Sequence, residues 1–164
     1  MPTTKMPTTV EEIMTNNVLS VRADWPVQRL SEFFFENCIS GAPVVDANDE
    51  LIGVVSLTDL ARFDSQPQEV DHSRAHDVYL HTLEQQFAKE ELASFQLQVE
   101  SQSLIRDIMT PMVFDIDVST NIQKAADIMI TGHIHRLFVT QNKKIIGVVS
   151  SLDMLKVIRE LPQD

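Results

Sequence analysis

Apolar residues recur at helical spacing twice along the chain, at Val27, Leu30, Phe33 and Phe34, and again at Ile122, Ala125, Ala126, Met129 and Ile130. Three or four such positions per two turns predict a helix with one face turned to a core. Each helix is followed by two β-rich runs joined by a polar turn, APVVD–AND–ELIGVVS in one case and RLFVT–QNKK–IIGVVS in the other, which predicts a hairpin both times. A short strand precedes each helix (Val18 to Val21; Val113 to Ile116), and a closing helix follows each hairpin (Leu57 to Phe63; Ser151 to Glu160). Asp24 is the expected cap of the first long helix, with Pro26 in its opening turn, and Ser119 or Thr120 that of the second. The pattern is β-α-β-β-α, twice.

The two copies align residue by residue. IMTNNVLSV, from Ile13, falls on IMTPMVFDI, from Ile108, at an offset of 95; one deletion at the Asn48 turn shifts the offset to 94 and sets LIGVVSLTDL on IIGVVSSLDM. A gap confined to a turn is where true repeats should differ. One such unit leaves an apolar sheet face uncovered, so the two are expected to pack sheet to sheet with pseudo-twofold symmetry. The expected organisation is a flexible N-terminus over residues 1–9, repeat 1 over 10–63, an insertion over 64–103 and repeat 2 over 104–164.

Composition narrows the class of partner. The formal net charge is −11, from 24 acidic and 13 basic residues, which disfavours a nucleic-acid partner. No run approaches the ~20 apolar residues of a membrane helix, and the polar opening MPTTKMPTT lacks the apolar core of a signal peptide, so a cytoplasmic, soluble protein is expected. The single cysteine, Cys38, cannot form an internal disulfide; a buried, small apolar role is expected for it. No Gly-rich phosphate loop, nucleophile elbow or H-E-x-x-H motif is present, which leaves an enzyme reading without support.

The duplicated chemistry is GVVSLTDL against GVVSSLDM. A carboxylate accepts two hydrogen bonds and so suits the paired hydroxyls of a ribose. Asp59 and Asp153 also stand near the start of a closing helix, where backbone N–H groups favour an anion, and Ser56 or Ser150 can join them. Helix capping alone is the competing account of these residues.

The repeat grammar, the opening I-M-T and the GVVSLTDL/GVVSSLDM pair resemble the cystathionine-β-synthase (CBS) domain, over about residues 10–63 and 104–160. The resemblance implies a non-catalytic regulatory module that binds an adenosine-containing ligand (AMP, ADP, ATP, S-adenosylmethionine or NAD), requires no cofactor and associates as a disc-shaped homodimer. It also implies composite sites. The preferred one joins Val18 and Ser20 to His135, Arg136, Ser150 and Asp153, with Arg136 on the phosphates. The second joins Val113 and Asp115 to Ser56, Thr58 and Asp59; there Ser40 and Gly41 replace the base, and Asp115 opposes an anion. In the preferred site Leu152 replaces the hydroxyl of Thr58, and Phe138 stands where the first copy has Pro43.

The insertion is longer than the usual connection of ~4–6 residues. Leu80, Leu83, Phe87, Leu92, Phe95 and Val99 predict an amphipathic helix over about 79–99, which packs on its own module, dimerises or docks a partner protein. His72, His76 and His81 lie near Asp71 and Asp77 but complete no metal ligand set. Two functions follow as expectations. One is a ligand sensor for an adenine nucleotide; the alternative is a structural or interaction module that works through the insertion.

Overall fold

The computed structural model describes residues 6–64 and 103–161. The expected insertion helix and the histidine cluster at 72–81 therefore lie outside the described residues. In chain order the elements are a 3₁₀ turn Val10–Glu12, β1 Thr15–Asn16, β2 Val21–Arg22, α1 Val27–Asn37, β3 Gly41–Val45, β4 Leu51–Ser56, α2 Leu57–Asp64, α3 Ile105–Ile108, β5 Asp115–Asp117, α4 Ile122–Gly132, β6 Arg136–Gln141, β7 Lys144–Ser150 and α5 Ser151–Arg159. Both copies show the expected β-α-β-β-α order, in a mixed α/β fold with two sheets.

The compact units do not follow the order of the repeats. One unit is Leu19–Val113; the other combines Met1–Val18 with Phe114–Asp164. Each repeat has handed its opening segment to the other. In the first-repeat unit the sheet runs β2-β3-β4, with β2 parallel to β3 and β3 antiparallel to β4. In the second-repeat unit it runs β1-β7-β6-β5, so the edge strand β1 comes from the start of the chain.

Matching hydrogen bonds hold each exchanged segment. Val10 donates to the Thr120 carbonyl at 2.9 Å and Ile122 to that of Thr8 at 3.0 Å. Ninety-five residues on, Ile105 donates to Trp25 at 2.9 Å, while Val27 donates to Ser103 at 3.0 Å. Thr8 and Thr9 thus belong to the docked structure rather than to a free N-terminus; Thr9 also bridges Asn121. Val10 and Ile105 are each fully buried, and Ile105 packs in the first-repeat core with Val21, Val27, Leu30, Phe34, Val55 and Leu60. The segment that begins the second repeat completes the core of the first.

The strand glycines make room for this exchange. Thr15 pairs with Val148 and Asn16 with Gly147. Likewise Thr110 bridges Val54, each donating to the other at 2.8–2.9 Å. A Cβ on Gly53 would lie 2.8 Å from the Thr110 carbonyl oxygen, and one on Gly147 would lie 2.5 Å from Met14 Sδ and 3.1 Å from the Thr15 carbonyl oxygen. Neither glycine has a positive φ, so the requirement is close backbone approach and not turn geometry.

Several local expectations need correction. Asp24 does not cap α1: Pro26 takes the N-cap position, and Asp24 instead meets Arg22 at 3.2 Å. The cap of α4 is Asn121, whose side chain accepts from the Lys124 N–H at 2.7 Å, while Ser119 is held by Asp117. Ile130 points to solvent, although Ile122, Ala125 and Met129 are buried as the spacing predicts. Cys38 is exposed, because it ends α1 in the left-handed region (φ 54°), the position that His133 (φ 50°) fills after α4.

Candidate functional site

In each unit the second hairpin strand runs directly into the closing helix, and the serine at the junction caps it. In the second-repeat unit Asp153 Oδ2 accepts from the Ser150 N–H at 2.9 Å and from its hydroxyl at 2.7 Å, while Ser150 Oγ accepts from the Asp153 N–H at 3.3 Å. Ser56 and Asp59 repeat this in the first-repeat unit at 2.8, 2.9 and 3.3 Å. Such reciprocal capping satisfies N–H groups that a helix start leaves without partners. The Ser-x-x-Asp spacing therefore has a structural role in both copies. It engages Oδ2 alone and leaves Oδ1 to other partners.

The two carboxylates differ in what reaches Oδ1. Asp153 Oδ1 accepts from Lys156 Nζ at 2.8 Å. For Asp59, no donor to Oδ1 is found among the described residues. Both residues are 6% exposed, yet their acidities move in opposite directions. Burial pushes the Asp59 carboxyl above its ordinary range, against the Ser56 hydrogen bonds and the charge of Arg62. Burial also acts upward on Asp153, but the hydrogen bonds from Lys156 and Ser150 outweigh it and hold that carboxyl below the ordinary range. Lys156 is the residue missed in the sequence; a base three residues after an acid on one helix was the available signal.

Beside Ser150 the second-repeat unit places further basic groups. Arg136 opens β6 directly opposite Ser150 on β7, so the two side chains share one face of the sheet. It is exposed, and among the described residues it has no ion pair. His135 is exposed beside it, and its carbonyl accepts from the Ser151 N–H at 2.9 Å. Val18, at the end of the exchanged opening segment, belongs to this unit and is half-buried. The corresponding position opposite Ser56 is Gly41. Only the second copy sets a cation against its serine.

Other expected site residues are distributed differently. Ser20 belongs to the first-repeat unit and Asp115 to the second, so neither is grouped within a unit with the serine and aspartate it was expected to join. Asp115 accepts instead from the Thr140 hydroxyl at 2.9 Å. Val113 shares the first-repeat unit with Ser56, Thr58 and Asp59, and both Val113 and Thr58 are half-buried. Leu152 is 66% exposed, and Phe138 is buried in the sheet.

The CBS domain profile matches residues 10–65 and 105–160. The uncharacterized protein MJ1232 of Methanocaldococcus jannaschii is 27% identical over 150 residues, which span 91% of this chain and 39% of that one. The chloroplastic CBS domain-containing protein CBSX1 of Arabidopsis thaliana is 26% identical over 156 residues, 93% of this chain and 65% of its own length. The chain thus spans 39–65% of the length of these relatives. Among solved structures, CBSX2 in complex with AMP superimposes with a TM-score of 0.60 at 26% identity, over 93% of this chain and 96% of that one. No helix among the described residues is long and apolar enough to cross a membrane.

Proposed function

The chain belongs to the CBS domain family as a tandem pair, and from that premise we propose that it is a regulatory module sensing an adenosine-containing nucleotide of the AMP, ADP or ATP type. The observation that carries this reading is Arg136, an exposed cation without an ion pair among the described residues, set across the sheet from Ser150 at the start of α5. A guanidinium beside a helix N-terminus suits a phosphate. In this reading Asp153 receives the ribose hydroxyls, Arg136 and His135 face the phosphates, and Val18 lines the base. The AMP-bound state of CBSX2, a structural relative at 26% identity, supports the ligand class. The Ser56, Thr58 and Asp59 set, with Val113, has no cation at Gly41 and suits a less charged adenosyl group. Binding that favours one conformation of the module would shift its population and carry the signal to a partner protein.

The test is a melting-curve and calorimetry panel with AMP, ADP and ATP. A ligand at ~100 times its dissociation constant stabilises by about 2.7 kcal/mol, a readily measured shift. The shift is expected to disappear in Arg136→Met, which removes an exposed group and leaves the fold intact, and in Asp153→Ala. Absence of any shift with the wild-type chain overturns the proposal.

One observation favours a second reading, an interaction module. The closing helix and the residues after it expose Leu152, Leu155, Ile158 and Leu161, whereas the first-repeat counterparts of the first three are Thr58, Ala61 and Asp64. An apolar stripe present in one copy only suits burial against a second copy of the chain. Light scattering on Leu155→Glu tests it: a dimer that becomes monomer supports the reading, and an unchanged mass rejects it.

A further inference from the structure

Resting on the reading of Asp153 as the ribose acceptor, we propose that Lys156 acts as a built-in competitor for that carboxylate and makes the second-repeat site select phosphorylated over neutral adenosine ligands. Oδ2 of Asp153 already receives two donors from Ser150, and Oδ1 receives Lys156 Nζ at 2.8 Å. While the ammonium stays, Oδ1 has one acceptor position left, too few for both hydroxyls of a ribose. A nucleoside must therefore displace Lys156 and give it nothing in return, leaving a nearly buried carboxylate without its cation. A nucleotide brings its own anion. The Lys156 side chain is 64% exposed and ends a flexible four-carbon stem, so it can exchange the carboxylate for a phosphate. Arg136 is positioned for the phosphate as well and adds to the preference for a nucleotide, but it gives up no partner to do so.

The first-repeat unit supplies the internal contrast. Arg62 is the counterpart of Lys156, yet it acts on Asp59 only through its charge, with no ion pair to it found among the described residues. Nothing there has to be displaced. The displacement step belongs to one copy, through one lysine.

Calorimetry with adenosine and with AMP decides the matter, on the full chain carrying Asp59→Asn so that the first-repeat site does not contribute. The parent is expected to bind AMP at least about tenfold more tightly than adenosine, a charge-assisted contact being the difference. Lys156→Met is expected to narrow that ratio about tenfold, by strengthening adenosine and weakening AMP; Lys156→Arg retains a wide ratio. If Lys156 merely steadies α5, both ligands weaken together, the ratio stays unchanged, and the proposal fails while the nucleotide reading survives. If neither ligand binds the parent or the variants, both fail.

Discussion

Replacing Gly53 with alanine tests the exchange of opening segments directly. The new Cβ would lie 2.8 Å from the Thr110 carbonyl oxygen and 2.9 Å from Met109 Sδ. The sulfur ends a flexible side chain and can swing away. The carbonyl oxygen cannot, because it accepts from the Val54 N–H at 2.9 Å while Thr110 donates back at 2.8 Å. Relieving the clash means separating these two backbones and loosening their hydrogen bonds. Overpacking costs ~1–3 kcal/mol, and each weakened hydrogen bond adds up to ~1 kcal/mol. The lower chain entropy of alanine returns ~0.5–1 kcal/mol. A net loss of about 2–3 kcal/mol follows, or roughly 5–10 °C in melting temperature for a chain of this size. Gly147→Ala makes the informative comparison. Its shortest contact is with Met14 Sδ, which can move, while the Thr15 oxygen at 3.1 Å needs only a small adjustment. Gly53→Ala should therefore be the more damaging of the two in urea or thermal melts, and amide exchange at Val54 and Thr110 should accelerate in it. Equal stability to wild type, or a larger loss in Gly147→Ala, would refute the packing argument.

Two further consequences concern the exchanged segments themselves. Ile105→Ala should cost ~2–5 kcal/mol in urea unfolding, as for an ordinary core isoleucine, because Ile105 sits in the first-repeat core; a loss within experimental error would show that the segment is not docked. Glu12 accepts backbone N–H bonds from Thr8 and Thr9 at 2.7 and 2.9 Å, which lower its pKa from 4.5 to about 2. A depressed acid stabilises above its unfolded value and loses that contribution as pH falls through the folded one. The stability gap between wild type and Glu12→Gln should thus be present at about pH 6 and close as pH approaches about 2; a gap that widened on acidification would contradict it.

The repeat, the helix faces and the hairpins were legible because each is written in local periodicity. Even the bulges recur, at Val44/Val45 and Val139/Thr140. The exchange of opening segments is not written in local periodicity, since chain order places Ile13 and Ile108 each beside its own repeat; it entered only through the family resemblance, which sets Val18 with the second repeat and Val113 with the first, as the compact units do. Among the residues themselves, the hint was a glycine inside each GVVS strand, where a strand normally prefers a side chain. Caps were misplaced where capping residues crowd together, as in Ser119-Thr120-Asn121, because propensity ranks all three alike. Cys38 was misjudged from its residue type; the helix end there needs a left-handed residue, and no glycine is present to take it. Ser150 and Asp153 were legible as a capping pair from the duplicated motif, and Arg136 as a base that the first copy lacks at Gly41. Lys156 lies outside the duplicated GVVSSLDM motif, and its role comes from occupying the Asp153 carboxylate, which the folded helix reveals.

The exchanged segments also order the events of assembly. The first-repeat unit is one continuous stretch, Leu19–Val113, so all its parts are available once residue 113 has left the ribosome. The second-repeat unit draws on both flanks of that stretch. Val10 and Thr15, made before that stretch, must wait with their apolar and edge-strand surfaces unsatisfied until Thr120 and Val148 are made. Closing that span adds to the entropic cost of the last step, although the cost rises only as the logarithm of loop length. Docking of the flank made before that stretch against the flank made after it is the event that completes the second unit, and a chain released before β7 has no strand for β1 to join.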